Sequence, residues 1–146
     1  MARRHDATLG LVLALLCTEA GAAAHVCSKE EMANAEAAVA AVRDWEDMYD
    51  TFHRFSPCDH GTVSDAFSGS VASLLAARWG DLHDLEHFAE ANKAFRAFVL
   101  RHIDATASEK DLSRILGYTK DCPGYARPIC RDIENRARAA LSELKD

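Results

Sequence analysis

Residues Cys58 to Trp79, CDHGTVSDAFSGSVASLLAARW, decide the fold because they join a turn, a helix start and a long apolar run. Pro57 and Gly61 interrupt the preceding structure, since proline lacks an amide hydrogen and glycine tolerates positive φ. Thr62, followed three residues later by Asp65, predicts a capping pair at the first helical turn. The next apolar residues recur at helical spacing: Val63, Phe67, Val71, Leu74 and Leu75. The stretch therefore predicts the central helix of an all-α bundle.

The first 24 residues have the three parts of a secretory signal peptide. Two arginines form a basic region, residues 9–16 are almost wholly apolar, and residues 22–24 are alanines that suit signal cleavage. The apolar run is shorter than the roughly 20 residues that span a bilayer. The sequence therefore predicts a signal peptide over residues 1–24, a single helical domain over residues 25–146, and a periplasmic or secreted protein.

The mature chain is predicted to be acidic. It keeps the net charge of −6 of the whole chain, because the signal peptide carries as many acidic as basic residues. Negative charge disfavours nucleic acid and anionic membranes as partners. We therefore expect neither of these partners and no cofactor, and the sequence leaves the oligomeric state open.

Four cysteines remain after signal cleavage, and an even number in an exported protein predicts two disulfides. Cys122 and Cys130 flank a Pro-Gly corner and can pair locally, so this pair ranks first. The remaining pair is Cys27 and Cys58. If residues 28–55 form one helix, its rise separates that pair by about 40 Å. Either that helix bends, or both thiols stay free, or the bridges cross between corners.

Apolar stripes predict four further helices around the central one. A capping box at Ser28 opens the first, which continues through residue 55. The third has a kink or short break at Asn92, Ser108 caps the fourth, and Pro128 suits the first turn of the last. The sequence therefore predicts a compact, disulfide-supported all-α bundle of about five helices.

Residues 83–87, HDLEH, spell H-x-x-E-H, a pattern by which some metalloproteases present two histidines and a carboxylate on one helical face. The spacing suits zinc, but a catalytic zinc needs a third protein ligand that the sequence does not identify. We favour an exposed polar face. A small zinc-dependent hydrolase using His83, Glu86 and His87 stays as an alternative.

A second group of metal-ligating side chains surrounds the turn before the central helix and comprises His53, Cys58, Asp59 and His60. A thiolate with imidazoles could bind zinc or act as an activated nucleophile. A cysteine in an exported protein is more often half of a disulfide. We therefore expect no metal and no catalytic residue here.

Polar side chains also share this turn and the first two turns of the central helix. They are Asp59, His60, Ser64, Asp65 and Ser68. Capping and close helix packing explain part of the set, while a carboxylate and hydroxyls beside a turn also suit contact with a protein. These five residues are the candidate partner-binding residues. His102 is either a satisfied histidine at the edge of the core or a functional group.

The combination of these residues resembles small exported helical proteins of Proteobacteria. The residues that carry the resemblance are Trp45, Cys58-Asp59-x-Gly61, Ser68-x-x-Val71-x-x-Leu74-Leu75, Trp79, Phe95-x-x-Phe98-Val99-Leu100-x-His102-Ile103-Asp104, Cys122-Pro123 and Cys130. In size, helical build, signal peptide and cysteines, the chain is similar to the periplasmic immunity proteins that neutralise type VI secretion amidase effectors. This architectural resemblance implies a rigid scaffold that occludes a cell-wall amidase, and it transfers no inhibitory residue.

The leading hypothesis is a non-catalytic periplasmic binding protein, with immunity to an amidase effector as its most specific form. Export, compactness, acidity and the lack of a recognisable catalytic set motivate it. The alternatives are the zinc-dependent hydrolase and a structural envelope protein without a dedicated ligand.

Overall fold

The computed structural model describes residues 25–145, so the predicted signal peptide lies outside the described residues. Within that range the chain forms seven α-helices and no β-strand, which confirms the predicted all-α class. The helices are α1 (Lys29–Ala40), α2 (Trp45–Phe55), α3 (Gly61–Ala77), α4 (Leu82–Ala91), α5 (Lys93–Arg101), α6 (Glu109–Tyr118) and α7 (Arg127–Glu143). The number exceeds the predicted five because two of the predicted helices are interrupted.

The predicted first helix is divided into α1 and α2 by a turn at residues 41–44. Asp44 caps α2, because its Oδ1 accepts a hydrogen bond from the Asp47 amide at 2.9 Å. The Asp47 carboxylate in turn accepts a hydrogen bond from the Arg43 amide at 3.1 Å. The prediction of one continuous helix was wrong, because these two carboxylates satisfy the free amides of a new helix start.

The predicted break at Asn92 is confirmed, since this residue separates α4 from α5. Its side-chain oxygen accepts the amides of Ala94 and Phe95 at 3.0 and 3.1 Å. The capping side chain therefore compensates for the helical hydrogen bonds lost at the break.

Replacing Asn92 with alanine should lower the free energy of unfolding by about 1 kcal/mol, because two amides at the start of α5 lose their acceptor. Urea unfolding followed by circular dichroism measures the change. Asn135→Ala on the exposed side of α7 is the matched control and should not destabilise the protein. Equal stability of the Asn92 variant and the native protein would contradict the capping role.

The predicted capping pair at the start of α3 was wrong. His60 precedes the helix without a side-chain capping bond. Thr62 instead donates its hydroxyl to Glu36 of α1, so it connects two helices. The predicted caps Ser28 and Ser108 are confirmed, each accepting the backbone amide three residues later.

Helix α3 is the centre of the bundle, as predicted, and it packs against α1 on one side and α6 on another. Helix α6 also packs on α7, while α2 contacts α4, and α5 contacts α4 and α7. The buried Phe67 ring of α3 lies 4.9 Å from the Phe98 ring of α5 in an edge-to-face arrangement. This contact holds the end of α5 against the middle of α3.

Two disulfides fasten the two ends of the described chain. Cys27 is bonded to Cys58 and Cys122 to Cys130, with Cα atoms 5.2 and 6.3 Å apart. The Cys122–Cys130 pair that ranked first is confirmed. The sequence left the Cys27–Cys58 pair open, and this pair forms because the turn at residues 41–44 brings the two cysteines together. The bridges are compatible with an oxidising compartment. No helix in residues 25–145 is long and apolar enough to cross a bilayer.

Candidate functional site

The predicted partner-binding residues begin in the turn that connects α2 to α3. A short 3₁₀ turn, Ser56–Cys58, ends α2, and the His60 amide donates to the Cys58 carbonyl at 2.8 Å. Gly61 has a φ of +56°, which a residue with a Cβ adopts only with strain. This tight turn points the Asp59 side chain into the protein, where it is only 5% exposed.

The Asp59 carboxylate is the acceptor of a network that reaches the end of α5. Its Oδ2 accepts a hydrogen bond from the Arg101 guanidinium and lies 3.0 Å from His102 Nε2. His102 is 1% exposed, whereas the Arg101 side chain is 58% exposed. Asp59 therefore connects the turn before α3 to the end of α5 through one buried and one exposed partner.

Ser68, one of the predicted site residues, extends the network on the other side of the imidazole. Its Oγ lies 2.9 Å from His102 Nδ1 and donates to Asp104 Oδ2 at 2.8 Å. Ser68 donates its single hydroxyl proton to the Asp104 carboxylate. The imidazole ring of His102 therefore lies between two carboxylates, with Asp59 at Nε2 and Asp104 reached from Nδ1 through Ser68.

Serine, histidine and aspartate are also the residues of a hydrolase triad, but this geometry differs from one. In a triad the imidazole accepts the serine proton. Here the serine hydroxyl donates to the Asp104 carboxylate. Ser68 is moreover 1% exposed, so a substrate cannot reach its oxygen. The network fixes the fold between α3 and α5.

Two carboxylates in the network have lowered pKa values. Burial of Asp59 opposes ionisation, but hydrogen bonds from His102 and Arg101 outweigh it and lower the pKa from 3.8 to about 2. Ser64 also contributes to that lowering. Burial likewise opposes ionisation of Asp104, and hydrogen bonds from Thr106 and Ser68 lower its pKa. Both groups are therefore anions in the folded protein over most of the pH range.

The lowered pKa of Asp59 predicts a loss of stability in acid. Because the folded-state pKa lies below the unfolded one, the stabilisation is complete above about pH 5 and is lost as pH falls towards about 2. The two values correspond to about 2 kcal/mol. Urea unfolding between these pH values should show the advantage of the native protein over Asp59→Asn shrinking by that amount. Asp50→Asn, at an exposed position on α2, is the control. If the difference in free energy of unfolding between the native protein and Asp59→Asn did not change with pH, this role of Asp59 would be contradicted.

The five predicted partner-binding residues divide into two groups. Asp59 and Ser68 point inward and belong to the buried network. His60 and Asp65 are exposed, and Ser64 is partly exposed. We call these last three residues the polar edge. A partner could touch the polar edge directly, while Asp59 and Ser68 would support it from below.

Of the two candidate metal-binding groups, the one on α4 lies apart from this network, while the one around Cys58 shares Asp59 with it. His83 and His87 are exposed on α4, and His83 Nε2 lies 3.0 Å from Asp84 Oδ1. Cys58 is disulfide-bonded, so it supplies no thiolate for a metal or for nucleophilic attack. Among residues 25–145, no three histidine, cysteine, aspartate or glutamate side chains lie close enough to hold a metal ion.

The sequence could not identify His102 and Asp104 as partners of the turn, because they lie 43 and 45 residues beyond Asp59. Only their position at the end of α5 brings them to Ser68.

Comparison of the chain with protein-family models, curated proteins and solved structures finds no match.

Proposed function

We propose that the mature chain is a non-catalytic binding protein of the periplasm that recognises a protein partner through the polar edge. Inhibition of a type VI secretion peptidoglycan amidase is the most specific form of this proposal. The observation that carries it is that the polar edge is exposed and yet fixed on several sides.

Four contacts, made by three residues beside it, fix the polar edge. The Cys27–Cys58 bridge holds the turn before it, and Asp59 is bonded to Arg101 and His102 beneath it. Thr62, at the same end of α3, is hydrogen-bonded to α1. A surface already ordered before binding loses little conformational entropy on association, which favours tight recognition. This rigidity supports a binding role for His60, Ser64 and Asp65.

Charge supports a protein partner of positive or mixed surface. The chain carries a net charge of −6, and Asp65 presents a carboxylate at the exposed side of α3. Complementary charge across an interface accelerates association and excludes partners of like charge. The expected partner is therefore an amidase whose catalytic cleft has a basic rim.

The test uses the purified mature protein and purified type VI secretion peptidoglycan amidases, beginning with any encoded beside this gene. Peptidoglycan hydrolysis is followed by turbidity, and binding by interferometry. The native protein should inhibit a cognate amidase at equimolar concentration. Asp65→Lys should weaken binding at least about 100-fold, as expected for like charges brought together at an interface.

Glu143→Lys makes the same charge change at an exposed position near the end of α7 and should leave inhibition unchanged. Equal weakening by both variants would indicate a general effect of charge and contradict recognition through the polar edge. Full amidase activity in the presence of excess native protein would contradict the immunity proposal.

A further inference from the structure

A cleft of about 190 Å³ opens between α4, α5 and the beginning of α7, and it shares no residue with the polar edge. Buried Ala89 and Ile129 contribute its apolar surface. A water molecule takes up about 30 Å³ in the liquid, so the cleft has room for a small organic molecule. Five of its eight lining side chains are polar or charged: Glu86, Glu90, Lys93, Arg96 and Tyr125.

The α4 side of the cleft carries two carboxylates without a counter-ion. Glu86 and Glu90 are one helical turn apart, and neither forms an ion pair with any residue that the structure describes. Burial raises the pKa of Glu86, and the charge of Glu90 raises it further. A positive group entering beside them would relieve this repulsion.

The α5 side carries two cations. Lys93 forms no ion pair within residues 25–145. Arg96 Nη2 contacts Asp132 Oδ2 at 2.5 Å, while its buried Nη1 has no hydrogen-bond acceptor. The break at Asn92 places these cations on a different helix from the carboxylates. The cleft therefore presents opposite charges on its two helices.

We propose that this cleft binds a small zwitterion, either a free amino acid or a short peptide with free termini. The ligand's ammonium group lies beside Glu86 and Glu90, and its carboxylate is bound by Lys93 and Arg96. A small apolar side chain packs on Ala89 and Ile129. This inference does not depend on the proposed immunity function, because it concerns different residues and a different class of ligand.

Tyr125 forms the outer wall of the cleft and is 55% exposed, although it is a large aromatic residue. It belongs to the 3₁₀ turn Gly124–Ala126, which lies between the two cysteines of the Cys122–Cys130 bridge. The bridge limits movement of this turn. An exposed ring held in this way can cover a ligand and contact its ammonium group through the ring face.

The experiment titrates the ¹⁵N-labelled mature protein with L-alanyl-L-alanine and records amide chemical shifts. Two matched probes each lack one charge: the N-acetyl dipeptide and the dipeptide amide. The free dipeptide should shift the amides of Ala89, Gly124 and Ile129, and each blocked probe should bind at least about tenfold more weakly, since a charge-assisted hydrogen bond is lost. Equal binding of all three probes, or no shift at 20 mM dipeptide, would overturn the proposal.

Variants identify the side chains that bind each end. Glu86→Gln should weaken binding of the dipeptide at least about tenfold but change binding of the N-acetyl probe little, because that probe has no ammonium group. Lys93→Met should also weaken binding of the dipeptide at least about tenfold. It should change binding of the dipeptide amide little, because that probe has no carboxylate. Glu143→Gln, far along α7, is the control. Circular dichroism verifies that each variant is folded, and unchanged binding by both cleft variants would overturn the assignment.

Discussion

Replacing His102 with leucine should lower the free energy of unfolding by about 3 to 5 kcal/mol, because the buried Asp59 carboxylate loses its buried partner. Arg101 still bonds to that carboxylate, so the loss should lie nearer the lower figure. Even this is a large fraction of the roughly 5 to 15 kcal/mol by which a small domain is stable. Urea unfolding at neutral pH, followed by circular dichroism, measures the effect.

A double variant separates the lost charge partner from the lost packing. Asp59→Asn removes the buried charge, so the double change should cost at least about 1 kcal/mol less than the two single changes added together. His83→Leu, at a 64% exposed position, is the matched control and should change stability by less than about 0.5 kcal/mol. If the losses in free energy of unfolding of the two single variants added up to that of the double variant, direct coupling between Asp59 and His102 would be contradicted.

Removing the Cys27–Cys58 bridge by a double change to serine should cost about 3 to 4 kcal/mol. The bridge closes a loop with a sequence separation of 31, and closure of such a loop restricts the unfolded chain. The Cys122–Cys130 bridge has a separation of only 8 and should contribute about 2.5 kcal/mol. Thermal and urea unfolding of the two double variants and the oxidised native protein measures both effects.

Comparing the free energies of unfolding lost on removal of each bridge tests whether loop length determines a bridge's contribution. If the Cys122–Cys130 variant were the less stable of the two, loop length would not determine the contribution of each disulfide. If the Cys27–Cys58 variant also lost binding at the polar edge while staying folded, the bridge would support recognition as well as stability.

Local sequence predicted the features that depend on neighbours along the chain. The apolar positions of α3, the caps at Ser28 and Ser108 and the break at Asn92 each follow from residues within one helical turn. The turn at residues 41–44 had a local signal as well, because Asp44 and Asp47 have the spacing of a capping pair. The apolar periodicity that continues across the turn concealed that signal.

The candidate site was predicted only in part, because its geometry depends on distant contacts. Asp59 and Ser68 are close in sequence to exposed His60 and Asp65, yet their side chains are buried. Their orientation depends on His102, which lies 34 residues beyond Ser68 and reaches it through packing of α5 on α3. The cleft between Glu86 of α4 and Arg96 of α5 likewise combines residues of α4, α5 and α7, which no local pattern connects.

The positions of the two disulfides suggest a place to divide the molecule. One bridge lies wholly before residue 59 and the other wholly after residue 121, so neither crosses the connection between α5 and α6. A cut at exposed Thr106 would therefore give two pieces with no covalent bond between them, held together by packing and by the Arg96–Asp132 ion pair, and each piece would keep its own bridge. Such halves, produced separately and mixed, offer a route to a reporter whose reassembly depends on the contacts of α3 with α6.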